Sequence, residues 1–62
     1  MNSDAKAGAW DLAATILREE TDRRFAAKSD PSMTFEMVEY IFIVIAPSLE
    51  QKAKIIRRRK TT

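Results

Sequence analysis

The sequence has no histidine and no cysteine, and in 62 residues it holds one glycine, two prolines and one tryptophan. Without cysteine there is no disulfide, so a disulfide-stapled secreted scaffold is excluded. Losing both residue types also removes the usual ligands of zinc, haem iron and iron–sulfur clusters, and no cofactor is expected. The same gaps take away the commonest general acid–base and the most reactive nucleophile. Carboxylates, Lys52 and Tyr40 remain for catalysis, but a chain this short has little room to bury them, so no enzymatic activity is expected. Long apolar runs are missing too. The longest, Tyr40 to Ala46, has seven residues, against about 20 for a membrane-spanning helix. The opening stretch MNSDAKAGAWD carries acids and no apolar h-region, unlike a secretory signal. A cytoplasmic location is the expectation, and membrane binding is not.

What is present is 45% apolar and 32% charged. At this length one domain, residues 1–62, is the only option. Ordering a chain costs roughly 1.5 kcal/mol per residue, and burial in so small a core about cancels it. With disulfides and the usual metal sites excluded, self-association is the remaining stabiliser.

Three segments read as helix. The first spans about residues 4–28 and contains seven alanines, the best helix formers. Ser3 or Asp4 is expected to cap it, with Asp4 favouring the positive end of the dipole. Ala7, Trp10, Ala14, Leu17, Thr21 and Phe25 share a stripe at 100° per residue, Leu12 and Ile16 widen it, and Asp11, Thr15, Arg18, Glu19 and Asp22 lie opposite. Glu19-Glu20 and Arg23-Arg24 are placed for i, i+4 pairs. Residues 28–34 are turn chemistry, with Thr34 preferred over Asp30 as the next cap and Met33 and Val38 around it as a staple. The second helix, residues 35–46, has a seam of Phe35, Val38, Phe42 and Ile45, flanked by Met37, Ile41 and Val44. Its apolar arc of roughly 200° is wider than a surface helix shows. A β-strand over Ile41–Ile45 is the rival, from its branched and aromatic composition. Pro47 then breaks the chain, and Ser48-Leu49-Glu50-Gln51 forms a capping box for a third helix, residues 49–60. The fold predicted is all-α: a small bundle of a long Ala-rich helix, an apolar central helix and a basic C-terminal helix. Homo-oligomerisation through Phe35, Val38, Ile41, Phe42 and Ile45 would complete it.

Charge is unevenly spread: residues 1–30 sum to −1, residues 31–48 to −2 and residues 49–62 to +5. Two function classes follow. The favoured one is a protein-interaction module (adaptor, inhibitor or assembly factor) with Glu36, Glu39, Tyr40 and Ile43 as its docking patch. There, apolar anchors are rimmed by acids. The alternative is a nucleic-acid-binding regulator that neutralises phosphates with Lys52, Lys54, Arg57, Arg58, Arg59 and Lys60. The side chains that read bases, such as Asn or His, are missing from that segment. The partners expected are a second copy of the chain, as homodimer or higher oligomer, and another protein; nucleic acid belongs to the alternative.

Overall fold

The computed structural model describes residues 2–28 and 31–60, with the backbone alone for Lys60. It holds α1 (Ser3–Ala27), α2 (Phe35–Tyr40), a π-helical turn (Ile41–Ile45) and α3 (Ala46–Lys60). The all-α expectation holds, and no strand is present among the described residues, Ile41–Ile45 included. The last three elements follow one another without a break, so the chain is a hairpin of two long helices rather than three helices. Its principal extents of 45 × 17 × 12 Å are those of a flat rod one helix thick.

Local chemistry sets the ends. Asn2, not Ser3 or Asp4, caps α1: its side-chain oxygen accepts from the Asp4 N–H at 2.6 Å and the Ala5 N–H at 3.2 Å. Asp4 stays in the first turn, where its charge suits the dipole. Lys28 ends the helix in the left-handed region at φ 53° and donates its N–H to the Phe25 carbonyl. The next start is at Thr34, as expected, whose Oγ1 accepts from the Met37 N–H at 3.2 Å. The rival cap, Asp30, lies outside the described residues.

Pro47 does not break the chain. Proline lacks an N–H, and in a regular helix its ring meets the carbonyl four residues back. Here the turn just before it is wider: the Ala46 N–H donates to the Ile41 carbonyl, five residues away. Such a turn is one of the few ways a helix absorbs a local misfit without ending. The capping box is overturned in consequence. Ser48 sits inside the helix, and its hydroxyl donates to the Val44 carbonyl at 2.6 Å.

The π turn inserts one extra residue and shifts the phase of everything before it. The predicted seam fails for this reason. Ile41, eight residues before Leu49, is the buried residue of the segment; Val38 and Phe42 are half-buried, Ile45 is exposed and Phe35 is 65% exposed. The remaining buried positions are small: Ala7, Ala14 and Thr21 on α1, with Ala46 and Ala53 on α3. Each set repeats every seven residues, the spacing that keeps a seam facing its partner. Small side chains let the backbones approach, but they remove little area from water. No large side chain is fully buried among the described residues. Thr21 satisfies its hydroxyl on the Leu17 carbonyl at 2.6 Å. Trp10 and Phe25, expected inside, are at the seam's edge, 37% and 38% exposed.

Candidate functional site

The two long sides of the hairpin differ in chemistry. On one side the helices are tied by ion pairs. Arg18 donates two hydrogen bonds to Glu50, at 2.8 and 3.0 Å, and Arg57 meets Asp11 at 2.8 Å. Asp11 and Arg18 were expected opposite the packed stripe; they border it instead. The Arg18 hydrogen bonds hold the Glu50 carboxyl below the usual carboxylate range, against a small opposing effect of burial. Arg18 is raised by the same contact. Both pairs run between residues seven apart on each helix, so they fix the antiparallel register along the whole seam.

The other side is apolar. Trp10, Lys52, Ile55 and Ile56 line a shallow hollow of about 230 Å³, with the Lys52 ammonium 5.2 Å above the indole ring. Further along, Leu17, Thr21, Met33, Met37 and Ile41 line a second hollow of about 190 Å³, rimmed by Glu20 and Arg24. On that rim Arg23 and Arg24 both converge on Glu20, at 2.6 and 2.8 Å, and hold its carboxyl below the usual range, Arg24 through its hydrogen bond first. Ile45, seven residues before Lys52, falls on the same side by helical phase.

The residues of the sequence-predicted docking patch lie on α2 and the π turn. Glu36, Glu39, Tyr40 and Ile43 are all exposed, Tyr40 at 58% and Ile43 at 68%. The basic set is not gathered on one face. At 100° per residue, Lys52, Lys54, Arg57, Arg58 and Arg59 spread over about 220° of α3. Lys52 is occupied by Trp10 and Arg57 by Asp11; the side chain of Lys60 lies outside the described residues. Among the described residues no three carboxylates gather where a metal ion could be held, and no helix is long and apolar enough to cross a membrane.

Sequence reasoning put Trp10 and Met37 on packed stripes; it missed that they form an open apolar side with Ile55 and Ile56, and it missed the ion-paired side. The signal was there: Ala7, Ala14 and Thr21 against Ala46 and Ala53 repeat by sevens, as do Asp11 and Arg18 against Glu50 and Arg57. No protein family, curated protein or solved structure matches the chain.

Proposed function

We propose that the chain is a non-enzymatic helical interaction module that assembles with itself and acts by covering part of a partner protein's surface. The observation that carries this reading is the exposure of Tyr40 and Ile43 beside two carboxylates on α2 and the π turn. An aromatic and a branched side chain left in water, with acids at the rim, is the composition of an interface anchor. The partner this patch fits has an apolar pocket with a basic border. The nucleic-acid reading keeps one supporting fact, the net +5 of residues 49–62, but the spread of those cations around α3 and the partners of Lys52 and Arg57 weaken it.

The test is capture of a partner from nuclease-treated extract of the native host. Tyr40→Ala and Ile43→Ala should abolish capture and leave the helix content unchanged. Replacing Arg57, Arg58, Arg59 and Lys60 by Gln should leave capture intact. If the Gln variant instead abolishes binding, and random duplex DNA binds with a steep salt dependence, the regulator reading replaces this one.

A further inference from the structure

We propose that the apolar side of the hairpin, centred on Trp10 and Ile55, is where a second copy of the chain docks, closing a two-fold symmetric four-helix dimer. This deepens the reading above: it seats self-association on two hollows whose linings include neither Tyr40 nor Ile43.

The first support is area. The chain exposes 4761 Å², whereas a compact protein of its 7.1 kDa mass exposes about 4,100 Å². Two chains packed into one compact body of twice that mass would have to bury about 2,700 Å² in total. That falls in the range of obligate homodimers, about 2,000–5,000 Å². The rod also offers a long flat face to hold such a contact, 45 × 17 Å in extent.

The second support is the contrast between the sides. In a two-fold contact residue i of one copy meets residue j of the other, and a largely apolar side docks with the least charge to strip of water. The ion-paired side, with Arg18–Glu50 and Asp11–Arg57, has its charges half in water and would have to strip them. The Trp10 side is the more apolar of the two: Trp10, Ile55 and Ile56 line its hollow, the Lys52 ammonium rests on the Trp10 ring, and Arg23 and Arg24 converge on Glu20 at its rim. The hollows beside Trp10 and beside Leu17 and Ile41 are seats for side chains of the second copy. A two-fold contact uses the same side of both copies, so it closes at two and does not propagate. Docking then covers the seam that the small residues leave thin and adds the large side chains the single hairpin fails to bury.

The chain has one tryptophan, so Trp10 reports on the contact directly. Sedimentation of the full chain at micromolar concentration should give twice the 7.1 kDa mass, and acrylamide should quench Trp10 weakly under those conditions. Ile55→Glu strands a charge in the contact and should raise the dissociation constant roughly 100-fold or more. Ile43→Glu, outside both hollows, should change it by no more than about twofold. A monomer under these conditions overturns the proposal, as does a dimer whose Trp10 is freely quenched, or one lost in Ile43→Glu and kept in Ile55→Glu. A monomer that instead binds phosphatidylglycerol vesicles with Trp10 protected would assign the same side to lipid and overturn it equally. Should Ile55→Glu fail to fold, the quenching of the unmodified dimer decides. The two readings fail separately: capture that persists in Tyr40→Ala with the dimer intact overturns the Tyr40–Ile43 reading and leaves this one standing.

Discussion

The two long sides of the hairpin are drawn from the same two helices, yet one is tied by ion pairs and the other is left apolar. The tied side is complete as it stands. Arg18 and Arg57 have their carboxylates, and the pairs set the register of α1 on α3. Half-exposed pairs of this kind specify geometry more than they stabilise it, because water and salt screen them. The apolar side is incomplete, and the larger reservoir of stabilisation lies there, in side chains that are still partly wet. In a chain this short, register and cohesion have been assigned to opposite surfaces. The first can be finished within one copy; the second, under the proposed dimer, is completed by a neighbour.

The largest effect that could break this division concerns two adjacent residues. Ile41 is 7% exposed and lines the hollow on the apolar side. Phe42 is half-buried and, eight residues before Glu50, falls toward the ion-paired side once the π turn is counted. Ile41→Ala should cost about 2–5 kcal/mol, as expected for a buried branched side chain. Phe42→Ala should cost clearly less, although phenylalanine is the larger residue. Urea titration of both variants at one protein concentration checks the order. The reverse order would place the cohesive core on the ion-paired side.

That order inverts what the periodicity alone implies, and the reason is physical. The composition of α1, the cap at Thr34 and the apolar excess of residues 35–46 are local properties, so helices at those places were legible. The phase across Pro47 was not. A proline rule is local, whereas whether a helix ends there depends on what packs on either side. With Leu49, Ala53 and Ile56 packed beyond Pro47 and Ile41 packed before it, a π turn costs less than losing the continuity. One inserted residue then moved Phe35 and Ile45 off the seam and put Ile41 on it. The exposure of Glu36, Glu39, Tyr40 and Ile43 was legible because they lie away from the seam in either phase. Trp10 was read as core from its stripe; it sits at the seam's edge because alanine neighbours bring the helices too close to admit an indole between them.

A smaller effect separates helix stability from both sides. Gly8 lies in the interior of α1, exposed, with no atom within 4 Å of an added Cβ. Gly8→Ala removes the backbone entropy cost of glycine, about 1 kcal/mol. The melting temperature should rise by about 4–8 °C in a domain this small. The slope of melting temperature against protein concentration should keep its sign, since neither side is touched. A loss of stability would mean that α1 uses this position for a contact of its own.

The smallest effect tests the ion-paired side itself. Arg18 holds the Glu50 carboxyl below its ordinary range, mainly through its two hydrogen bonds, with the charges of Arg18 and Lys54 adding to it. A carboxyl whose folded value lies below its unfolded one binds fewer protons in the folded state. Its contribution is therefore full above the ordinary carboxylate range and is lost as pH falls through the folded value. The melting temperature should drop between about pH 5 and pH 3. Glu50→Gln should lower it slightly at pH 7 and flatten the drop, leaving the part due to Glu20, which Arg24 and Arg23 hold down within α1. High salt at pH 7 should shrink the difference between the two proteins, because both groups reach solvent. If the curves of Glu50→Gln and the unmodified chain stay parallel from pH 7 to pH 3, the pair fixes register without contributing to stability. The contrast with the apolar side would then be sharper than the geometry alone requires.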